Sequence, residues 1–226
     1  MVREQLAKER RRRRTMWTSI AAVAVLLIAG LIGWGVYASQ DPAAGYSAPP
    51  GATDSDSGIA VGSGPVKVDI YVDFQCPGCK QFETRAGQAL DKLVSDGKIT
   101  IVYHPVAFLD RMSSGTRYST RSSAASGCAA ESGKFSEYAR VLFERQPPEG
   151  GQGLSDDELV SIGGSVGASG SGFASCVRDE KYRAWTSHVT EVASERAVTG
   201  TPTVLVAGKQ VEPSVEAITA AVTGAS

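Results

Sequence analysis

The stretch PVKVDIYVDFQCPGC, residues 65–79, decides the fold of this chain. Its first ten residues alternate between two faces, and the β-branched residues of one face give the period of two that predicts a β-strand. The motif Cys76-Pro77-Gly78-Cys79 follows at once, and apolar residues then recur at helical spacing until Asp96-Gly97 ends the helix. The pattern therefore places two cysteines where a strand turns into a helix.

A Cys-x-x-Cys motif at a helix start is suited to disulfide exchange. Cys76 would lie beside unpaired backbone N–H groups and the positive end of the helix dipole, and both stabilise the thiolate that acts as nucleophile. Cys79 can reach Cys76 within one helical turn and resolve a mixed disulfide, while Pro77 suits the first helical turn. A structural disulfide, a zinc knuckle and two unrelated thiols account for the motif less well. We therefore predict redox chemistry and no metal site.

Downstream of this helix the sequence predicts a strand, a helical block, two short strands and a final helix. Ile99–Val102 is the predicted strand, and the block runs from about residue 111 to 196. Gly200-Thr201-Pro202 breaks the helical pattern before a short strand at residues 203–207, and residues 213–222 are predicted to be the last helix. This order of elements predicts an α/β fold.

The two remaining cysteines both fall in the helical block. In an exported domain we expect Cys128 and Cys176 to form a structural disulfide. The alternatives are two free thiols and a relay that exchanges with Cys76 and Cys79. His104 follows a strand and is a candidate to line the site.

An uncharged stretch of 26 residues follows Arg14. Its apolar part, Met16–Tyr37, is long enough as a helix to cross a hydrocarbon core of roughly 30 Å. We predict a transmembrane helix over residues 15–38, with a signal peptide cleaved near Ala38 as the alternative. The basic tail, residues 1–14, is expected to stay in the cytoplasm, so that the C-terminal part is exported.

Residues 39–58 are rich in Ala, Gly, Ser, Pro and Asp, and they are predicted to be a flexible linker because they bury too little apolar area to offset their ordering entropy. Residues 59–226 are then the folded domain, with Ile59–Val61 as a possible first strand. The chain has a net charge of −1 although its first 14 residues are basic, so the rest is acidic. An acidic domain without a basic stripe predicts that nucleic acid is not a partner.

Three features in combination resemble the DsbA-like thioredoxin-fold oxidoreductases. They are the order of the elements, the sequence Asp73-Phe74-Gln75-Cys76-Pro77-Gly78-Cys79, and the sequence Gly200-Thr201-Pro202-Thr203. The resemblance spans about Ile59 to Val222, and it implies a thioredoxin fold in which the helical block is the inserted domain of that family. The membrane tether and the two further cysteines are similar to those of the actinobacterial members.

The resemblance also implies roles for individual residues. Cys76 would be the nucleophile that carries the mixed disulfide, and Cys79 would resolve it. Thr201 and Pro202 would form a cis peptide that faces the cysteines and binds the substrate backbone.

Two positions depart from the family pattern. Gly78 stands where DsbA has a histidine between its cysteines, and Ile70 stands where the family keeps a buried acid on the preceding strand. Asp73 is an acid closer to the motif.

The function implied by the resemblance is the formation of disulfides in exported proteins. The expected enzyme is anchored in the cell membrane, faces the outside, is a monomer and needs no cofactor. Its partners would be reduced or unfolded exported proteins and a membrane quinone-linked oxidase that reoxidises Cys76 and Cys79. Two alternatives remain open. One is a reductase or isomerase kept reduced by a membrane donor, and the other is a non-enzymatic anchored domain that binds unfolded chains.

Overall fold

The computed structural model describes residues 45–53 and 55–225, together with Trp17 and Gly30. The folded unit begins at Tyr46. Within the described residues, no helix is both long and apolar enough to span a membrane. The predicted basic tail, residues 1–14, and the predicted transmembrane segment, residues 15–38, lie outside the described residues except for Trp17 and Gly30.

The described elements follow the predicted order, with one extra strand in front of the possible first strand. They are, in chain order, β1 (Ala52–Thr53), β2 (Gly58–Gly62), β3 (Val66–Val72), α1 (Pro77–Ser95), β4 (Ile99–Pro105), a 3₁₀ turn (Asp110–Met112), α2 (Tyr118–Glu131), α3 (Phe135–Glu144), α4 (Asp156–Ser165), α5 (Ser171–Arg178), α6 (Arg183–Glu195), β5 (Thr203–Val206), β6 (Lys209–Val211) and α7 (Val215–Ala225). This is the predicted α/β fold with a helical insertion, which lies between β4 and β5.

One mixed sheet carries the cysteine motif at the end of a central strand. In the strand order β1-β2-β4-β3-β5-β6, β3 is parallel to β4 and antiparallel to β5. α1 makes the crossover from β3 to β4, since parallel neighbours cannot be joined by a tight turn. The start of β5 lies beside the end of β3, with Thr203 opposite Tyr71. This pairing brings Thr201 and Pro202, just before β5, next to the motif that follows β3.

β3 is buried on both faces, although its alternation sets polar residues on one of them. Val68 and Ile70 are fully buried, and Asp69 and Tyr71 on the opposite face are buried as well. His104 of β4 contacts the Asp69 carboxylate with 3.0 Å between Nε2 and Oδ1, and its ring stacks on Tyr71. The polar face is therefore covered, and its carboxylate has a partner.

Helices α2 to α6 make up the insertion predicted over about residues 111–196. α2 is buried along most of its length and contacts α3, α5 and α6, because its Ala, Ser and Gly side chains allow close approach. α4 begins with a capping box, in which Glu158 accepts from the Ser155 backbone N–H and the Ser155 side chain accepts from the Glu158 N–H. α5 and α6 are separate helices within this block. Glu180 has a φ of 46°, which an α-helix cannot contain, so α5 ends before Glu180 and α6 begins after it.

The N-terminal strap, Tyr46–Thr53 and Ser55–Ser57, is part of the fold. The Tyr46 ring stacks on His188 of α6 with 4.5 Å between ring centroids, and Trp185 Nε1 of α6 donates to the Asp56 carbonyl at 2.6 Å. β1, which belongs to the strap, pairs with β2, which follows the strap. The structure therefore begins the domain at Tyr46 rather than at residue 59, because a helix far along the chain supplies contacts that the composition of residues 39–58 does not reveal.

Candidate active site

Cys76 occupies the N-terminal cap of α1. Its backbone is extended, with φ −76° and ψ 117°, and its carbonyl oxygen accepts hydrogen bonds from the N–H groups of Cys79 and Lys80 at 3.0 and 3.2 Å. Pro77 begins the helix, where a missing N–H costs little. Both cysteines carry free thiols, and Cys76 is 8 % exposed whereas Cys79 is fully buried. Both residues are buried, and Cys76 is the less buried of the two.

The two thiols differ in acidity. The pKa of Cys76 is lowered to about 6, chiefly by a hydrogen bond from the Cys79 thiol. The Thr201 side chain and the backbone N–H groups of Cys79 and Gly78 lower it further, and together these donors outweigh burial. Burial raises the pKa of Cys79 well above its ordinary value, and the neighbouring Cys76 adds to the rise. At neutral pH the pair is therefore one thiolate and one thiol, as disulfide exchange requires.

The Thr201–Pro202 peptide is cis and lies against the motif. The Cys76 thiol donates a hydrogen bond to the Thr201 carbonyl oxygen, with 3.2 Å between Sγ and O. A Cβ atom at Gly78 would lie 3.3 Å from Cδ of Pro202 and 3.6 Å from Sγ of Cys76. The structure thus brings together the residues that sequence assigned to chemistry and those it assigned to substrate binding.

Asp73 is a buried acid that fixes the turn between β3 and α1. Its Oδ1 accepts from the backbone N–H of Gln75 at 2.9 Å and from the Ser119 hydroxyl at 2.7 Å, and its Oδ2 accepts from the backbone N–H of Leu109 at 2.9 Å. Burial raises its pKa to about 6 against these three donors, and the charge of Cys76 contributes to the rise. Asp73 therefore joins the motif to the loop after β4 and to the first helix of the insertion, while Ile70 is fully buried and apolar.

Two glutamines complete the surroundings of the motif, and local sequence patterns assign a role to neither. Gln75 Nε2 donates to the Met112 carbonyl at 2.6 Å. Gln146, just after α3, donates from Nε2 to the carbonyls of Phe74 and Cys76 at 2.9 and 3.0 Å. In the sequence, Gln146 is followed by two prolines, a pattern that indicates a helix end and no contact with the motif. Its contacts lie 70 and 72 residues away, and no local pattern reveals them.

Cys128 and Cys176 are joined by a disulfide with 2.04 Å between the sulfur atoms and 5.9 Å between the Cα atoms. The bond connects α2 to α5 within the insertion, and both residues are buried. It therefore ties two helices of the insertion together, whereas the free thiols lie at the junction of β3 and α1.

His104 takes part in the fold instead of contacting either thiol. Its Nδ1 lies 2.7 Å from the Ser57 carbonyl oxygen, and its Nε2 faces Asp69, so both ring nitrogens are occupied at the strap and the sheet. The candidate role for His104 in lining the site is therefore not supported. Within residues 45–53 and 55–225, no three His, Cys, Asp or Glu side chains are grouped to hold a metal ion.

Comparison with known proteins agrees with this geometry. A thioredoxin family model matches residues 55–223. The reduced disulfide bond oxidoreductase DsbG of Mycobacterium tuberculosis is 30 % identical, with a TM-score of 0.63 over 71 % of this chain and 82 % of that chain. The reduced DsbA of the same organism is 27 % identical, with a TM-score of 0.61 over 75 % of this chain and 100 % of that chain.

Part of the chain is also similar to a kinase. The serine/threonine-protein kinase PknE of Mycobacterium tuberculosis is 33 % identical over 121 residues, which are 50 % of this chain and 21 % of the kinase. The chain thus spans about a fifth of the length of the curated relatives it matches.

Proposed function

The chain belongs to the thioredoxin family and is a thiol–disulfide oxidoreductase of the DsbA type, and from this premise we propose that it forms disulfides in exported proteins. The observation that carries the proposal is the difference between its two thiols. Cys76 is the less buried thiol and has a pKa lowered to about 6, whereas Cys79 is fully buried and has a raised pKa. A stabilised Cys76 thiolate favours the reduced form of the pair, and a pair that favours its reduced form oxidises its substrates.

The reaction passes two electrons from a substrate dithiol to the disulfide between Cys76 and Cys79. A substrate thiolate attacks Sγ of Cys76, which forms a mixed disulfide and releases Cys79. The released Cys79 takes up a proton, because burial keeps its thiol neutral. A second substrate thiolate then attacks the substrate sulfur of the mixed disulfide and displaces Cys76 as a thiolate. The substrate leaves with a new disulfide, and the pair is left reduced.

The cis Thr201–Pro202 peptide is the proposed docking point for the substrate backbone. In the reduced protein Sγ of Cys76 lies 3.2 Å from the Thr201 carbonyl oxygen, and the protonated thiol donates to it. In the mixed disulfide Cys76 has no hydrogen to donate, so that oxygen can accept an N–H from the bound substrate. A Cβ atom at position 78 would lie 3.3 Å from Cδ of Pro202, so Gly78 leaves this point free of a side chain.

The oxidising strength follows from the groups around Cys76. The helix start and its donors stabilise the thiolate, but Gly78 lacks the side chain that adds further stabilisation in DsbA. The apolar Ile70 removes a negative charge that would oppose the thiolate. The missing side chain at Gly78 acts at the motif itself, so its effect on the reduction potential should outweigh that of Ile70. We place the reduction potential between roughly −120 mV, the DsbA value, and roughly −270 mV, the thioredoxin value.

The location and partners of the enzyme are also part of the proposal. The predicted helix over residues 15–38 anchors the chain in the cell membrane, and the basic tail places the domain outside the cytoplasm. Reduced exported proteins are the substrates, and a membrane quinone-linked oxidase restores the disulfide. The proposed active form is a monomer without a cofactor.

Similarity to a stretch of a kinase supports a second candidate function, because it shows that a related sequence also occurs within a signalling protein. In that case the domain binds unfolded chains or reports redox state without turnover. The other open alternative is a reductase or isomerase that a membrane donor keeps reduced. The resting redox state of Cys76 and Cys79 in the cell separates oxidase from reductase.

Equilibration of the full-length protein with glutathione buffers tests the proposed direction. Thiol labelling measures the fraction of reduced Cys76 and Cys79, and we expect a potential within the range above. A value more negative than that of thioredoxin would favour the reductase. A Cys79→Ala variant should also trap mixed disulfides with exported proteins in cells, and capture of none would favour the binding domain.

Accessibility to an impermeant protease tests the topology. Digestion of the domain on intact, wall-stripped cells is expected because the basic tail is predicted to stay inside. Full protection would reverse the assignment.

A further inference from the structure

Gln146 reaches the cysteine motif from the helical insertion. It follows the C-terminal cap of α3 and precedes two prolines, which fix the φ angles of the next two residues. Its side-chain amide donates to the carbonyl oxygens of Phe74 and Cys76 at 2.9 and 3.0 Å. One nitrogen thus holds the backbone on both sides of Gln75, immediately before the helix starts.

Two further contacts hold the end of α3 at this place. The rings of Phe74 and Phe143 pack with 5.0 Å between centroids, and Lys80 Nζ donates to the Glu144 carbonyl at 3.2 Å. The end of α3 therefore contacts the chain before Cys76 and the first turn of the helix after it. Gln146 lies between these two contacts and is the one whose polar group reaches Cys76 itself.

The amide of Gln146 has an electrostatic consequence for the sulfur of Cys76. Two carbonyl oxygens converge on its Nε2, and each carries a partial negative charge. The Cys76 carbonyl also accepts from the N–H groups of Cys79 and Lys80, so the Gln146 amide is its third donor. Loss of that amide would leave more of the negative charge on both carbonyl oxygens uncompensated near the thiolate and would oppose it. The amide offsets part of both charges, and it holds the Cys76 carbonyl together with the N–H groups of Cys79 and Lys80.

We propose that Gln146 is a positioning residue through which the helical insertion stabilises the Cys76 thiolate and so sets the oxidising strength of the pair. The inference rests on the proposed function, in which Cys76 is the exchanging thiol. It gives the insertion a role in the chemistry, because Gln146 adds a donor from the insertion to the Cys76 carbonyl, which α1 already holds through the N–H groups of Cys79 and Lys80.

The test compares Gln146→Met, which keeps the length of the side chain and removes its donors, with Gln152→Met, which changes an exposed glutamine six residues further on. The full-length reduced proteins are titrated by thiolate absorbance. They are then equilibrated with glutathione, where one protein dithiol and one glutathione disulfide give the Cys76–Cys79 disulfide and two glutathione thiols. Thermal unfolding of the oxidised and reduced forms is measured alongside.

We expect Gln146→Met to raise the Cys76 pKa by about half a unit to one unit, and to weaken the protein as an oxidant about three- to tenfold in its equilibrium constant with glutathione, the range of one hydrogen bond. Gln146→Glu should raise the pKa further, because its carboxylate faces the same two carbonyls. Gln152→Met should change neither quantity.

Equal loss of thermal stability in both redox forms, with an unchanged pKa and equilibrium constant, would overturn the inference and leave Gln146 as a purely structural contact. That outcome would leave the proposed function standing. If the unsubstituted protein formed no Cys76–Cys79 disulfide in glutathione buffers, the proposed function would fall, and the inference with it.

Discussion

The two cysteine pairs of this protein have the same side chains in opposite surroundings. Cys76 and Cys79 lie at the start of α1 as free thiols, and one of them has a pKa lowered to about 6. Cys128 and Cys176 lie within α2 and α5, where they are buried and bonded to each other. Four cysteines in one chain are thus divided between exchange and cross-linking.

The difference between the two pairs shows that the hydrogen-bond donors around a cysteine decide how reactive its sulfur is. At the start of a helix the first N–H groups have no partner within the helix, so they can stabilise a thiolate. Cys128 lies well inside α2, where the backbone N–H groups already bond to preceding carbonyls. Attack on the buried disulfide would also release a thiolate into an apolar interior, which is unfavourable.

The largest expected effect is that of Cys76→Ser, which should reduce the oxidation of a reduced dithiol peptide to the uncatalysed rate. The serine hydroxyl cannot form the mixed disulfide, and Cys79 cannot take its place because it is fully buried. Peptide oxidation followed by thiol titration measures the loss. A Cys76→Ser variant that kept its full cellular effect would favour the binding domain over the enzyme.

The other pair should behave in the opposite way. Cys128→Ser/Cys176→Ser removes a disulfide between residues 48 apart in sequence. In the chain-entropy model this lowers the free energy of unfolding by about 4 kcal/mol. We expect the melting temperature to fall by about 8–16 °C, while activity at low temperature is retained. Calorimetry and peptide oxidation on the same sample check both parts. A double variant as stable as the parent but inactive would instead establish a relay between the pairs.

Thr201→Val tests the donors around Cys76 more finely. After the Cys79 thiol, the Thr201 side chain is the next group that lowers the Cys76 pKa. Loss of its hydroxyl should raise that pKa by about one unit, from about 6 towards 7. The rate of alkylation against pH measures this shift. Reactivity should fall as the pH drops through about 6 in the parent, and at a correspondingly higher pH in the variant.

Thr203→Val is the matched control, since the Thr203 hydroxyl bonds to the Gly200 carbonyl instead of to a cysteine. Identical pH profiles for Thr201→Val and the parent would remove Thr201 from the account of thiolate stability.

The smallest expected effect is that of Gly78→His, which should make the pair more oxidising by up to about 30 mV, or tenfold in the equilibrium constant. The new side chain would add a donor beside the Cys76 thiolate. Gly78→Ala is the control for crowding, because its Cβ would lie 3.3 Å from Pro202 Cδ without adding a donor. Equilibration with glutathione measures both variants, and no change in Gly78→His would refute the argument from the residue between the cysteines.

Local patterns were sufficient to predict the strand–helix junction. The period of two in β3 and the helical spacing after Cys76 are properties of neighbouring residues, and α1 begins at Pro77 as they require. The order of elements around the insertion follows for the same reason. The break at Glu180 was missed because a non-glycine residue with positive φ leaves no clear pattern in sequence.

Most of the residues that surround the motif could not be predicted from the sequence. From the insertion, Gln146 bonds to the Cys76 carbonyl and Ser119 bonds to the Asp73 carboxylate. Both contacts depend on how the helices pack on the sheet. Asp73 was identified as the nearest acid, but its role in fixing three segments follows only from the positions of Leu109 and Ser119. Long-range packing, not local propensity, supplies this layer of the site.

The N-terminal strap has a practical consequence for anyone who trims this protein. The family match begins at residue 55, but β1 covers the outer edge of β2 through Ala52 opposite Ile59. A chain shortened to the matched region would expose backbone N–H and C=O groups on that edge, next to the apolar surface of Val61 and Phe135. Such an edge readily pairs with a second chain. The shortened protein should therefore self-associate through its strands and lose solubility, even though its cysteine motif is intact.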